Sequence, residues 1–305
     1  MKMKAIVANK FGSADVLQFR EVAKPAPQAD EILIKVVATT VSAGDIRMRS
    51  LNVPLLFWLP ARLTLGFTRP KNPVFGMELA GEVEAIGRGV TRFKVGDSVF
   101  ASTLTEKFGA YAEYKCFPEN GLVLPKPHNM SYVEAAAVPI GGPTALRLLR
   151  KGNIQSGQKV LIYGASGSVG TYAVQLARHL GAEVTGVCSA ANVAMVKSLG
   201  AERVIDYTRK DFATRLERYD AIFDTVGKFP KSIYAKALAA DGHYGTIAKL
   251  STKQSAEELG TIKGMIEAGA VRAVIELCYP LAQAAEAHRY VEFGHKKGNV
   301  ILTVA

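Results

Sequence analysis

The sequence predicts an α/β fold in which a β-rich segment precedes a doubly wound parallel sheet. Three observations carry that reading. The chain has 305 residues, 49% hydrophobic and 21% charged, enough for roughly two domains with ordinary cores. Up to about residue 125, apolar residues alternate at period two between frequent glycines and prolines, the texture of a compact β domain. From Gln158 onward, short apolar runs alternate with helical patterns, and βαβ winding implies a parallel sheet covered on both faces.

Each element follows in order. Ile32–Ala38 reads as a strand, Gly81–Gly87 alternates polar and apolar residues, and Val95–Phe100 is a turn feeding a strand. Past Pro125, Ser131 caps a short helix with Glu134 completing a capping box. Lys159–Tyr163 is a buried-strand run, and Ser168–Leu180 is a helix stopped by Gly181. Val184–Val187 is the next strand, and the helix after it runs to Leu199 before Gly200. Val204–Asp206, Ala221–Asp224 and Tyr244–Ile247 supply three further strands. Ser255 caps a helix over Glu257–Ala268, so the stretch after Ala248 leaves no room for the sixth strand of a full doubly wound sheet.

Composition removes several function classes. The net charge is +11, yet the positive residues are dispersed, and the densest cluster is only His295-Lys296-Lys297. Without a basic stretch interleaved with aromatics, this is a basic-surfaced enzyme rather than a nucleic-acid binder. Cys116, Cys188 and Cys278 are odd in number, widely spaced and form no CxxC pair. That argues against a Cys-rich zinc site and a disulfide framework, and a reducing cytoplasm is the expected setting. Met1–Ala8 is too short an apolar run for a secretory signal. Leu51–Phe67 holds Pro54, Pro60 and Arg62, so it is not a membrane span of ~20 apolar residues. It reads as a proline-broken loop whose apolar residues cover the domain or meet another subunit. The sharper alternative makes Phe57 and Trp58 the walls of a cleft for a hydrophobic substrate.

The glycine turn carries the clearest chemistry. Gly164-Ala165-Ser166-Gly167-Ser168-Val169-Gly170 lies between a strand and a helix. Side-chain-free positions there let backbone approach a pyrophosphate, and the helix N-terminus offers N–H groups and a positive dipole end. A dinucleotide site is therefore expected. NAD sites place an acid at the end of the second strand, but Cys188-Ser189-Ala190-Ala191-Asn192 contains none. The stretch favours NADPH, with Ser189, Asn192 and either Tyr207 or Lys210 to receive the 2′-phosphate. NADH stays open as a second donor.

At this point the sequence resembles the medium-chain dehydrogenase/reductase superfamily, in its zinc-independent quinone oxidoreductase branch. The matching residues are Gly76–Val83 with Gly87, Val95–Val99, Gly109–Tyr114, and Ala137-Val138-Pro139 with Thr144-Ala145. The resemblance implies a GroES-like catalytic domain over 1–126, completed by 270–305, and a Rossmann domain over 127–269. It also places Ser42, Met77 and Ile140 where zinc-dependent members carry metal ligands. A hydroxyl, a thioether and an alkyl group do not make a zinc site, so no metal is expected. His128, His179, His243, His288 and His295 lie outside these motifs and read as packing or surface residues.

The resemblance further implies that Ser42 and Asp45 face the substrate, that Thr144 lies beside the nicotinamide, and that Val226-Gly227 covers the ribose side. Asp45 reads either as a helix cap or as a group that orients Arg47 or Arg49 or relays a proton. Lys296 is either a cofactor-phosphate contact or a solvated lysine. The short link from Lys249 to Ser255 omits a strand that relatives pair across a dimer, so a monomer or weak homodimer is expected. The implied activity is NADPH-dependent hydride transfer to a small hydrophobic electrophile, a quinone or an α,β-unsaturated carbonyl. The alternatives are a zinc-free alcohol or aldehyde oxidoreductase and a non-catalytic NADPH-sensing or RNA-binding relative.

Overall fold

A computed structural model describes residues 1–52, 55–251 and 253–304, apart from the side chains of Leu55, Leu56, Phe57 and Ala61. The chain divides into two compact units, Met1–Ile140 with Ile275–Ala305, and Gly141–Val274.

The first unit opens with an antiparallel pair, β1 (Lys2–Val7) and β2 (Gln18–Ala23). Its organising strand is β3 (Glu31–Val41), followed by α1 (Ala43–Ser50) and α2 (Leu55–Leu65). Next come β4 (Glu78–Ile86), β5 (Ser98–Ser102), β6 (Tyr114–Pro118), β7 (Val123–Pro125) and the short helix α3 (Tyr132–Ala136). Strand β3 pairs antiparallel with both β4 and β6. Its alternate residues Ile32, Ile34 and Val36 join Leu79, Val83, Val99 and Phe117 in one buried cluster, so the period-two pattern is a one-sided core. The Ser131–Glu134 capping box is present. Helix α3 packs on β3, β4 and β5, and the Ile140 N–H donates to Glu78 at 2.9 Å. Those contacts hold residues 127–140 in this unit.

The second unit contains α4 (Gly141–Lys151), β8 (Lys159–Tyr163), α5 (Ser168–His179), β9 (Glu183–Cys188), α6 (Val193–Ser198) and β10 (Arg203–Asp206). Then follow β11 (Tyr219–Asp224), α7 (Lys231–Ala237), β12 (Leu238–Thr246) and α8 (Ala256–Glu267). The sheet order is β10-β9-β8-β11-β12, parallel throughout. Among the described residues it has five strands, and no sixth follows β12. Arg147 grips Glu258 with two hydrogen bonds of 2.9 Å, tying α4 to α8. Gln175 reaches both the N–H and the carbonyl of Arg272, at 2.9 and 3.0 Å, which keeps the chain up to Val274 in this unit.

The chain then returns to the first unit through β13 (Ile275–Pro280), α9 (Ala284–Glu292) and β14 (Asn299–Thr303). Strand β14 pairs parallel with β13 and antiparallel with β3, with Val300 opposite Val41. Ala284, Ala287 and Val291 of α9 pack with Val41, Tyr111 and Val300.

Two expectations need correction. The segment from Leu51 to Phe67, read as a proline-broken loop, contains helix α2 with Pro60 inside it. Proline removes one N–H donor, but the flanking Leu and Arg residues are strong helix formers. Strand β12 begins at Leu238 rather than Tyr244, since pairing with β11 extends it past a register shift. No helix among the described residues is long and apolar enough to cross a membrane.

Candidate active site

The glycine turn joins β8 to α5. Gly164 has φ +80°, and a Cβ there would meet Val226 Cγ2 at 2.4 Å. A Cβ on Gly170 would lie 2.0 Å from the Gly164 carbonyl oxygen, so only glycine lets α5 sit this close to the strand end. Gly167 differs. A Cβ there meets only Gly164 O, at an ordinary 3.5 Å. Packing within the protein therefore does not require Gly167, and the freed space suits a ligand. Gly167 is also the N-cap of α5 and supplies no side-chain acceptor; the first intrahelical bond runs from Thr171 N–H to Gly167 O. This cradle, with Ala165 buried and Ser166, Ser168 and Val169 half-buried, fits a pyrophosphate.

The neighbouring strand ends shape the rest of this surface. Asp224, buried at the end of β11, accepts hydrogen bonds from the N–H groups of Val226, Gly227 and Phe229 at 2.8–2.9 Å. Thr225 Oγ1 donates to the carbonyls of Tyr163 and Gly164, which locks this turn to the glycine turn. At the end of β9, Asn192 Nδ2 donates to Ser189 Oγ at 3.2 Å, while the buried Asn192 Oδ1 has no partner among the described residues. Tyr207 is 40% exposed, and its N–H donates to the Cys188 carbonyl. Sequence reasoning passed over Asp206, which pairs in register with Cys188. Hydrogen bonds from the Thr208 hydroxyl and N–H hold its carboxyl below the usual carboxylate range. It brings one negative charge to the strand end. Thr144 lies half-buried in the first turn of α4.

In the first unit, Ser42 is the N-cap of α1, and Asp45 is its third residue rather than the cap itself. Asp45 N–H donates to Ser42 Oγ at 3.3 Å, while Ser42 N–H and Oγ donate to Asp45 Oδ2 at 2.9 and 2.6 Å. Asp45 is 1% exposed and its Oδ1 has no hydrogen-bond partner among the described residues. Burial drives its pKa up to about 6 against the lowering effect of Ser42. Asp45 does not orient either arginine: Arg47 is exposed, and the fully buried Arg49 donates to Glu292 at 2.9 Å.

Four further polar groups, Glu78, Tyr111, His288 and Lys296, belong to the same unit, and sequence patterning did not single them out together. Glu78 accepts from Thr40 Oγ1 at 2.6 Å and from Ile140 N–H at 2.9 Å, and burial raises its pKa to about 7. Tyr111 donates its hydroxyl proton to the Thr40 carbonyl at 3.1 Å. His288 Nε2 lies 3.1 Å from the Tyr111 hydroxyl oxygen and, since that hydroxyl gives its proton to Thr40, acts as the donor, as a neutral ring. Burial and then the Arg49 charge lower the His288 pKa to about 3, so it stays uncharged at neutral pH. Lys296 is half-buried, with Nζ donating to the Gly298 carbonyl. Desolvation lowers its pKa to about 8 while Glu78 opposes the shift. Trp58 belongs to α2 and is 41% exposed; the Phe57 side chain lies outside the described residues.

Comparison with known proteins agrees with this architecture. The profile of the alcohol dehydrogenase GroES-like domain matches residues 28–128, and zinc-binding dehydrogenase profiles match 168–273 and 246–302. The 2-methylene-furan-3-one reductase of Solanum lycopersicum is 31% identical over 324 residues, covering 99% of this chain and 79% of the relative. The chloroplast envelope quinone oxidoreductase homolog of Arabidopsis thaliana is 30% identical, covering 98% of each chain. The quinone oxidoreductase of Coxiella burnetii superposes with a TM-score of 0.87 at 27% identity, with all of both chains covered. The chain belongs to the medium-chain dehydrogenase/reductase superfamily, in its quinone oxidoreductase branch. It is an oxidoreductase.

Zinc, which the names of two of the matching profiles imply, fits poorly here. A Cβ on Gly44 would lie 2.9 Å from Met77 Sδ and 3.3 Å from Ser42 Oγ, so these two side chains converge on one spot. A thioether and a hydroxyl supply neither thiolate, imidazole nor carboxylate, and Ile140 adds only an alkyl group. The adjacent Glu78 has both oxygens engaged by Thr40 and Ile140.

Two predictions follow from this geometry. Gly170→Ala is expected to cost about 2–4 kcal/mol of stability through its clash with Gly164. Gly167→Ala should stay within about 1 kcal/mol of wild type yet weaken NADPH binding about tenfold or more. Chemical denaturation and fluorescence titration measure both, and equal stability loss in the two variants would contradict the distinction. The second concerns pH. Raised pKa values mean that folded Asp45 and Glu78 hold protons that the unfolded chain has released, so their contribution falls as pH rises from about 4 to about 7, by at most about 1.4 kcal/mol per pH unit and proton. Glu78→Gln removes one such proton. Its unfolding free energy relative to wild type should therefore move in the variant's favour between about pH 5 and pH 7; a flat difference would refute the assignment.

Proposed function

We propose that this oxidoreductase transfers hydride from NADPH to a quinone or an α,β-unsaturated carbonyl without the help of a metal. The observation that carries the reading is the pairing of an intact dinucleotide cradle with Ser42, Met77 and Ile140 at the metal-ligand positions. An acceptor that is already electrophilic needs positioning and water exclusion more than a Lewis acid. An Arabidopsis thaliana relative is an NADPH-dependent alkenal/one oxidoreductase, 29% identical over 321 residues, 99% of this chain and 79% of the relative.

When bound, NADPH supplies the hydride. The remaining work falls to the chain. Gly164–Gly170 holds the pyrophosphate, Thr144 and Val226-Gly227 orient the reactive end, and Ser189 with Asn192 receives the ribose phosphate. The Asn192 amide N–H and the hydroxyl of Ser189 are uncharged donors, and Asp206 stands close by, so attraction for the 2′-phosphate is modest. Ser42 and Asp45 face the acceptor. A hydroxyl held at 2.6 Å by a carboxylate with a pKa of about 6 can steady the acceptor oxygen and manage its proton near neutral pH.

NADPH is expected to exceed NADH in kcat/KM by about tenfold, or about 1.4 kcal/mol, and Ser189→Asp should move the preference towards NADH. Equal or NADH-favouring values in the wild type would sink the cofactor assignment. Across a panel of quinones, enones and simple aldehydes, oxidation of NADPH should be fastest with the first two classes and persist after chelation. One tightly bound zinc per chain whose removal abolishes turnover would refute the metal-free reading, and a preference for aldehydes would refute the acceptor class.

A further inference from the structure

Four large apolar side chains exposed to water fall within ten residues: Trp58, Leu59, Leu63 and Phe67, each 41–57% exposed. Leu59 and Leu63 are one helical turn apart on α2 and share a face. An apolar patch of this kind on a water-soluble chain marks an interaction surface.

Charge indicates what covers it. From Ile46 to Met77, thirty-two residues contain no Asp or Glu but five cations, Arg47, Arg49, Arg62, Arg69 and Lys71. Arg49 is buried against Glu292, whereas Arg47, Arg69 and Lys71 are exposed. The cations adjoin the apolar groups directly. The Arg62 guanidinium lies 5.1 Å from the centre of the Trp58 ring and donates to the Phe67 carbonyl. Lys71 Nζ donates to the Leu63 carbonyl at 2.6 Å. Beside them, a surface depression of about 520 Å³ has Phe67, Arg69 and Lys71 in its walls.

A second copy of this face would bring cations against cations with no carboxylate to answer them. A surface of anionic headgroups over hydrocarbon answers both features. Helix α2 is too short to span: eleven residues rise about 16 Å, roughly half of a ~30 Å hydrocarbon core. We propose that α2 and the turn through Lys71 form a docking surface for an anionic lipid bilayer, with Trp58, Leu59, Leu63 and Phe67 entering the interface and Arg69 and Lys71 facing headgroups. Aromatic and leucine side chains rimmed by basic residues are what interfacial helices use. The proposal is independent of the redox chemistry above.

Trp58 is the chain's one tryptophan, so its emission reports on this surface alone. With vesicles of phosphatidylcholine containing about 30% phosphatidylserine, Trp58 emission should shift to the blue, be quenched by brominated lipid, and accompany co-sedimentation. Raising salt from about 0.1 to about 0.5 M should release most of the protein. Leu59→Gln with Leu63→Gln should weaken vesicle partitioning about tenfold or more, with NADPH oxidation by a water-soluble acceptor unchanged. Absence of any shift or sedimentation, or equal binding to pure phosphatidylcholine, would overturn the proposal. So would a concentration-dependent blue shift without vesicles accompanied by a doubled mass in light scattering, which would assign the face to a second copy.

Discussion

A carboxylate removed from water must be answered by donors, and three buried carboxylates fix the functional segments of this protein. Asp224 gathers the N–H groups of Val226, Gly227 and Phe229 and so sets the turn beside the glycine cradle. Asp45 is met by the N–H and hydroxyl of Ser42, which fixes the start of α1. Glu78 ties Thr40 of β3 to the backbone at Ile140. Their surroundings decide what each does. Asp224 has four donors, including Tyr244 at 3.3 Å, whereas Asp45 and Glu78 have fewer, and burial raises their pKa values to about 6 and about 7.

The same constraint bears on the metal question. In a chain built for zinc, a carboxylate beside the ligand positions would be one of several charged groups around the ion. Here the positions beside it carry Ser42, Met77 and Ile140, and Glu78 serves as a neutralisable clasp between strand and backbone. The fold is that of a superfamily with zinc-dependent members, but the chemistry of a site follows its donor atoms rather than its fold. The proposed electrophilic acceptor suits a site whose described polar groups are carboxyl, hydroxyl and imidazole rather than metal-ligating sets.

Packing and surface follow different rules in the two places where glycine and leucine matter most. At Gly170 a missing methyl lets a helix approach a strand end, because the Gly164 carbonyl already occupies the space. At Leu59 and Leu63 apolar groups face water with cations around them. The first is explained by contacts within the chain. The second leaves Leu59 and Leu63 exposed among the described residues, which is why it points outward.

The sequence by itself determined the five strands of the parallel sheet, the glycine turn, the capping box at Ser131 and the helix cap at Ser255, because period, propensity and capping are local properties. Motif matches likewise led to the expectation that Ser42, Met77 and Ile140 stand at the zinc positions. Residues brought together from distant segments were not legible. Tyr111, His288 and Arg49 meet only because α9 returns to pack beside β3, and Asp206 reaches the end of β9 only through its register with Cys188. Helix α2 was misread as a loop, since a proline within an apolar run speaks locally for a break. The tertiary structure decided these points, because burial, pKa and hydrogen-bond partners depend on which segments the fold brings into contact.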